Sequence, residues 1–195
     1  MFCFVRLVLV FLAGNSVMYG IGVKQNENYR LPSAVFTENK GQIADENGNT
    51  CRDLLFQFSS NNVDVYIKRN GIVYVHKEVK EPKHIGTSSL ESVNISQNIS
   101  INRTELKLLN ANTNIEIIKE LKQSFYSNFY LPQCSSGITD VASYKKITIK
   151  NIYNHIDWVL YPYTNNKKET FLEYDFVVHP GGDIKNISMQ YEGYE

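Results

Sequence analysis

The sequence predicts an all-β domain, and three observations lead to that prediction. β-Branched and aromatic residues recur at alternate positions between clusters of turn-forming residues, as in strands with one buried face. The chain has 13 Tyr and 10 Phe against five Pro and three Met, and aromatic rings pack well on pleated surfaces. An Asn-Gly pair at 70–71 separates two alternating runs, as in a tight hairpin. We expect an antiparallel β-sandwich of two sheets built from hairpins, with an open β-barrel as the alternative.

The hairpin at Asn70–Gly71 is the clearest local element. If these two residues form the loop, Ile67 faces Tyr74 and Asp64 faces Lys77 across the ribbon. One face of the hairpin is then apolar, and the other carries a pair of opposite charges.

Two further stretches continue the β pattern. The stretch 144–193 is predicted to be strand, polar turn, strand, Pro-Gly-Gly turn and strand. Glu38–Gly41 is predicted to turn the chain at a structural corner, and the alternative is a ligand-binding loop that also includes Gln42.

The first 22 residues are predicted to be a secretory signal peptide. Arg6 supplies a positive charge, the apolar run 7–13 follows, and small residues come next at Gly14, Ser16, Gly20 and Gly22. The run is too short to cross a bilayer, which takes about 20 apolar residues. The alternative is a buried N-terminal strand, which Arg6 would interrupt. We expect the mature chain to be secreted or held at the cell surface with no membrane span.

The rest of the chain divides into three parts. Residues 23–34 are polar and are predicted to be a linker, and residues 35–195 form the β-rich domain. Within that domain the stretch 82–104 is rich in Ser and Asn and has no sustained period, so we predict a flexible loop. Twenty basic residues balance 20 acidic ones, so no net charge attracts nucleic acid or an anionic membrane.

The cysteines are interpreted in the light of export. Removal of the signal peptide takes Cys3 and leaves Cys51 and Cys134, which either form a disulfide or remain two independent thiols. Neither lies in a CxxC motif or next to a histidine. We therefore expect no metal site, no thiol catalysis and no cofactor.

Aromatic residues offer a candidate binding surface. Residues 125–131 contain four rings, and Trp158 lies further along the chain. Exposed rings of this kind stack on sugars, whereas buried rings are simply core. The candidate stacking residues are Tyr126, Phe129, Tyr130 and Trp158.

Carboxylates in the last third of the chain invite a catalytic hypothesis. Asp157, Glu173 and Asp175 lie on predicted strands, and glycosidases use paired carboxylates about 5–10 Å apart. Alternate charged residues are also what a half-exposed strand shows. His155 near Asp157 has no Ser or Cys partner and makes no triad. A glycan-cleaving enzyme using Asp157 and Asp175 stays a hypothesis, and we assign no catalytic residue.

Five segments in order support a family resemblance. They are Phe36–Gln42 (FTENKGQ), Gly71–Tyr74 (GIVY), Ser127–Tyr130 (SNFY), Tyr153–Asp157 (YNHID) and Leu172–Asp183 (LEYDFVVHPGGD). Together they resemble the uncharacterised N-terminal domain of large secreted bacterial proteins that carry SBBP-type β-propeller repeats, often with adhesion-like modules. Where members commonly have Pro-Gly before Ile-Asp, this chain has Asn154 and His155.

The resemblance implies export, a β-rich fold and a position ahead of a repeat array. It supplies no catalytic residues. We therefore expect a non-catalytic structural or interaction domain that precedes and packs on β-propeller repeats in a surface or adhesion protein. The alternative partner class is glycans, bound by a carbohydrate-binding module.

Overall fold

The computed structural model describes residues 3–6, 34–45, 47–60, 63–80, 98–132 and 134–193. A short 3₁₀ turn at Ile184–Asn186 precedes the last strand. The strands are β1 (Cys3–Arg6), β2 (Phe36–Glu38), β3 (Leu54–Ser60), β4 (Val63–Lys68), β5 (Gly71–Lys80), β6 (Asn98–Leu108), β7 (Glu116–Leu131), β8 (Cys134–Tyr153), β9 (Ile156–Thr164), β10 (Thr170–Val178) and β11 (Met189–Gly193). The prediction of an all-β, antiparallel domain is confirmed.

All eleven strands belong to one sheet, which branches at β8. The order is β1-β10-β9-β8-β2-β3-β4-β5-β6-β11, and β7 pairs with β8 outside that path. Along one edge, β8 pairs with β7. On its other edge it pairs first with β2, at Tyr144 opposite Phe36, and then with β9, at Ile147 opposite Leu160. Two arms therefore start from the same edge of β8: the β9 arm (β9, β10 and β1) and the β2 arm (β2 to β6 and β11).

The two arms approach each other at their far ends. The hydroxyl oxygens of Tyr174 on β10 and Tyr191 on β11 lie 3.4 Å apart. At the end of β8 the Tyr153 hydroxyl lies 3.0 Å from the carbonyl oxygen of Leu109 and 3.1 Å from that of Ser188. The sheet is thus curled into a half-barrel.

The facing sides of the two arms form one hydrophobic core. Trp158 lies at its centre, stacked on Phe176 at a ring distance of 6.2 Å and edge-on to Tyr174 at 5.8 Å. Alternation along each strand sends every second side chain inward, so apolar positions two apart in sequence are buried together. The largest fully buried side chains are Trp158, Phe36, Phe58, Ile67, Ile72, Leu106, Leu108, Ile147, Ile149, Ile152, Ile156 and Leu160.

The predicted division into two sheets is not confirmed. The alternation of apolar and polar side chains correctly predicts that two apolar faces meet. It does not indicate whether the two layers are joined by hydrogen bonds. Here β8 is 20 residues long, which is enough for β2 and β9 to pair with the same edge in succession. The facing layers are therefore arms of one sheet, and the predicted alternative, an open barrel, is the nearer description.

The Asn-Gly hairpin turns one residue earlier than predicted. Its loop is Arg69–Asn70, and Lys68 pairs with Gly71. Gly71 is the first residue of β5, where a Cβ would lie 2.5 Å from the carbonyl oxygen of Leu106 on β6. The glycine is needed for the close approach of two strands, not for the turn. Moving the loop by one residue shifts the register by two, so every side chain keeps its predicted face.

The N-terminus and the predicted flexible loop are described only in part. Residues 3–6, inside the predicted signal peptide, form β1 and pair with β10. The apolar run 7–13 and the linker up to residue 33 lie outside the described residues, so the signal peptide stays a prediction. Residues 98–104, predicted as loop, belong to β6, while 81–97 lie outside the described residues. In the described part of the chain, no helix has the length and apolar character needed to span a membrane.

The close approach at Gly71 leads to a stability prediction. We expect Gly71→Ala to lower the free energy of unfolding by about 1–3 kcal/mol, because the new methyl group forces β5 away from β6. Gly193→Ala is the matched control, since a Cβ there meets no atom within 4 Å. Urea unfolding followed by Trp fluorescence measures both variants. Equal stability of the two variants would contradict the packing argument.

Candidate functional site

Asp157, the second residue of β9, is a carboxylate whose side chain is only 7% exposed. On β8, Ile149 pairs with Trp158 and Tyr153 pairs with Ile156, so three residues of β8 bulge opposite Asp157 alone. A bulge leaves backbone groups without ladder partners. Oδ1 of Asp157 accepts a hydrogen bond of 2.9 Å from the backbone N–H of Asn151 inside this bulge.

Two basic groups hold the other oxygen of Asp157. Its Oδ2 lies 2.9 Å from Nε2 of His179 and 3.1 Å from Nζ of Lys150. Burial acts to raise the pKa of Asp157, but the hydrogen bonds from Asn151, His179 and Lys150 outweigh it and hold the pKa below its ordinary value. A general acid at neutral pH requires a raised pKa. The environment of Asp157 is therefore that of a structural anion.

The histidine that contacts Asp157 is His179, and not His155, which is its neighbour in the sequence. Asp157 pairs with Val177 across the β9–β10 ladder, which places His179 two residues further along on the same face. The sequence carried this signal in the hairpin register of β9 and β10. Sequence reasoning considered only His155 because it lies closer along the chain.

Asp175 has surroundings of its own. It pairs with Val159 in the ladder, and its Oδ2 accepts a hydrogen bond of 2.7 Å from the hydroxyl of Tyr161. His155 is exposed in the β8–β9 turn. Asp175 stands two residues before Val177, so it lies on the same face of the ladder as Asp157, but its described hydrogen bond goes to Tyr161 and not to the contacts of Asp157.

A shallow polar cleft lies at the same corner of the molecule. It has a volume of about 420 Å³ and joins the loop after β6 to the turn after β8. The Asn112 side chain donates hydrogen bonds to the carbonyl oxygen of Asn151 at 2.8 Å and to Oδ1 of Asn154 at 3.3 Å. We call this the asparagine cleft; its lining residues are Asn112, Thr113, Asn114, Asn151, Asn154 and His155.

Two lining residues of the asparagine cleft have unusual backbone conformations. Asn151 has φ of +50° and His155 has φ of +58°, which favour glycine over larger residues. The Asp157 carboxylate accepts a hydrogen bond from the backbone N–H of Asn151. The backbone N–H of His179 donates a 2.8 Å hydrogen bond to the carbonyl oxygen of His155. Asp157 and His179, which contact each other, therefore fix one wall of the cleft through these two bonds.

The four candidate stacking residues divide into two pairs. Trp158 is fully buried and Phe129 is 7% exposed, so both belong to the interior. Tyr126 and Tyr130 are 63% and 73% exposed. Only the two tyrosines have rings that a ligand reaches.

β7 carries exposed apolar side chains in addition to Tyr126 and Tyr130. Leu121 and Phe125 are also exposed, and we call these four residues the β7 patch. Apart from β8, no described strand pairs with β7, so within the described residues its outer edge is unpaired. The ladder to β8 shifts register between Lys122 and Tyr126. The patch thus combines apolar side chains with an open strand edge.

The corner at Glu38–Gly41 uses its polar side chains internally. Nδ2 of Asn39 donates to the carbonyl oxygens of Cys51 at 2.8 Å and Leu54 at 2.7 Å. The Gln42 side chain donates to the carbonyl oxygen of Glu38 at 2.6 Å. These bonds fit the predicted structural corner.

Cys51 and Cys134 are both free, half-buried thiols. Burial, followed by the nearby carboxylates of Asp53 and Asp45, raises the pKa of Cys51. A raised pKa disfavours the nucleophilic thiolate. Cys134 lines a second cleft of about 450 Å³ beside Lys40 and Arg52.

A second buried carboxylate, Glu105 on β6, is also paired. Its two oxygens lie 3.0 Å from Nζ of Lys68 and 3.0 Å from a guanidinium nitrogen of Arg103. Burial acts to lower the pKa of Lys68, and the carboxylates of Glu105 and Asp53 outweigh that effect and raise it. Within the described ranges, no three His, Cys, Asp or Glu side chains are placed to hold a metal ion.

These features define an all-β domain on one curled antiparallel sheet, with buried carboxylates held in ion pairs and an aromatic patch on an open edge strand. The chain belongs to the family described as Domain of unknown function (DUF7948), which it matches over residues 36–195. The match includes every strand except β1. Comparison with curated proteins found no match, and comparison with solved structures found none.

The contacts of the buried Asp157 carboxylate predict a pH-dependent stability. Because the folded-state pKa of Asp157 is lowered, its contribution is fully present above the unfolded-state pKa and is lost as the pH falls through the folded-state pKa. We expect Asp157→Asn to cost about 1–3 kcal/mol at neutral pH. The difference from wild type should shrink in acid.

Urea unfolding over a series of pH values measures this effect. Asp140→Asn is the matched control, since Asp140 is exposed and should leave the pH profile unchanged. A constant difference between wild type and Asp157→Asn at all pH values would contradict the proposed role of the ionised carboxylate.

The aromatic residues predict a contrast between two substitutions on β7. Phe129→Ala should lower the free energy of unfolding by about 2–4 kcal/mol, because it removes a buried ring. Tyr126→Ala should change it by less than about 0.5 kcal/mol, because that ring is exposed. Thermal unfolding of both variants measures the contrast, and a large loss in Tyr126→Ala would show that the ring packs against the domain.

Proposed function

We propose that this domain is a non-catalytic interaction module of an exported protein, and that its β7 patch binds a β-propeller repeat domain. The observation that carries the proposal is the exposure of Leu121, Phe125, Tyr126 and Tyr130 on β7, a strand whose outer edge no other described strand pairs with. The predicted signal peptide supports export. The resemblance to domains that precede SBBP-type repeats supports the choice of partner.

The chemistry of the β7 patch fits protein binding. Tyr and Phe are enriched at protein interfaces because their rings bury a large area with few rotatable bonds. The open edge adds backbone N–H and C=O groups that can pair with a partner strand. Near the patch, Lys119 pairs with Glu38 at 2.9 Å and Lys146 pairs with Glu120 at 3.0 Å. Because the charges of these side chains are paired with each other, the exposed rings are the groups most available to a protein partner.

The non-catalytic part of the proposal has separate support. Asp157, one of the two carboxylates in the glycosidase hypothesis, has a lowered pKa and is held by Lys150 and His179. A carboxylate in this state is a poor proton donor near neutral pH. Asp175 lies on the same face of the β9–β10 ladder, but it accepts a hydrogen bond from Tyr161, and none of its described contacts joins it to Asp157.

The docking proposal is tested by binding to recombinant SBBP-type propeller repeats. We expect micromolar affinity for the wild-type domain and at least about a tenfold weaker affinity for the Tyr126→Ala/Tyr130→Ala double variant. The matched control is Tyr163→Ala/Phe171→Ala, which removes two exposed rings elsewhere, paired across β9 and β10. Isothermal titration calorimetry measures all three proteins.

Two outcomes would reject the docking proposal. One is the absence of binding by the wild-type domain at high micromolar concentration. The other is an equal loss of affinity in both double variants, which would mean that exposed rings in general, and not the β7 patch, account for binding.

The alternative function is carbohydrate binding by the two exposed tyrosines. Tyr126 and Tyr130 lie four residues apart on β7 with their rings in solvent, an arrangement that suits stacking on two sugars of a chain. Phe129 and Trp158 do not take part in this alternative because they are buried. Retention on insoluble polysaccharide that is lost in Tyr126→Ala/Tyr130→Ala would favour it over docking.

A further inference from the structure

We propose that the asparagine cleft is a binding site for a neutral, hydroxyl-rich ligand of the carbohydrate class. The site lies at the corner formed by the loop after β6 and the turn after β8, and the β7 patch contributes none of its lining residues. The inference is therefore independent of the docking proposal.

The lining residues select the class of ligand. Four asparagines and one threonine supply amide and hydroxyl groups, each able to donate and to accept hydrogen bonds. Vicinal hydroxyl groups of a sugar have the same double capacity. Among the described residues no Lys, Arg, Asp or Glu lines the cleft, so these residues offer a charged ligand no counter-charge there. Its volume of about 420 Å³ lies within the roughly 300–1,000 Å³ of small-molecule sites.

The cleft holds polar atoms ready for a ligand. The Asn112 amide nitrogen is bonded to the Asn151 carbonyl and to Oδ1 of Asn154, so both side chains are oriented. The Asn112 amide oxygen and the Asn154 amide nitrogen make no hydrogen bond with other described residues. Thr113 and Asn114 are exposed at the rim. These groups are free to bind hydroxyls without first breaking a bond within the protein.

The corner is also fixed in advance by the residues behind it. Asp157 holds the N–H of Asn151, and the backbone N–H of His179 holds the carbonyl of His155. Fixing the site before binding reduces the entropy that the ligand must overcome. The unfavourable positive φ values of Asn151 and His155 are maintained by these bonds. Asp157 is thus a positioning residue for the cleft.

Nuclear magnetic resonance of the ¹⁵N-labelled full chain tests the site. The probes are the methyl glycosides of glucose, galactose, mannose and N-acetylglucosamine, with glucuronate as a charged probe and glycerol as a non-specific one. We expect at least one neutral glycoside to shift the side-chain amide signals of Asn112, Asn151 and Asn154 in a saturable manner. Glucuronate should bind more weakly, and glycerol should give no saturation.

Variants locate the binding. Asn154→Ala and Asn114→Ala should each weaken the affinity by about fivefold or more, since each removes one amide from the cleft. Asn166→Ala is the matched control because Asn166 is an exposed asparagine in the turn between β9 and β10. Unchanged backbone spectra away from the corner show that each variant is folded.

Three results would overturn the inference. The first is the absence of saturable shifts with every neutral glycoside. The second is binding that survives in both Asn154→Ala and Asn114→Ala but is lost in Tyr126→Ala/Tyr130→Ala, which would place the ligand on the β7 patch. The third is tighter binding of glucuronate than of the neutral sugars, which would contradict the selection by uncharged amides.

Discussion

The fold depends on the pairing capacity of a single strand, β8. One of its edges is occupied by β7, and the other is shared in succession by β2 and β9. Because both arms begin on the same edge, their apolar faces turn toward each other as the sheet curls, and Trp158 and Phe36 end in one core. The 20-residue length of β8 is what allows this sharing. A shorter strand would hold only one arm and leave the other apolar face in water.

The bulge in β8 shows how a local irregularity is stabilised and then used. Three residues, 150–152, stand opposite Asp157, and the N–H of Asn151 would be unpaired without the carboxylate. Lys150 pairs with the buried charge and His179 contacts the same oxygen, so the irregularity is retained at low cost. The same bonds orient the turn at His155 and hold the asparagine cleft open. A structural ion pair and a candidate binding site are thus parts of one network.

Much of the fold could be predicted from the sequence, and less of the candidate sites. Strict alternation identifies the inward residues of β9, since Ile156, Trp158 and Leu160 are all buried. The same rule would have separated Phe129 from Tyr130, because adjacent residues of a strand point to opposite faces. It fails for Leu121–Phe125, where the register shift of the β7–β8 ladder breaks the alternation. The predicted Asp64–Lys77 pair forms at 2.6 Å although the register differs by two.

Local sequence patterns were sufficient for many of the strands, for the inward residues of β9 and for the opposite-charge pair of the first hairpin, because these features depend on neighbours within a few residues. Three features follow only from the three-dimensional arrangement: both arms pair with one edge of β8, His179 and not His155 meets Asp157, and asparagines more than 35 residues apart line one cleft. These outcomes depend on which distant backbone groups meet. The backbone N–H and C=O groups are the same in every residue except proline. Side-chain patterns alone therefore do not encode which distant strands pair.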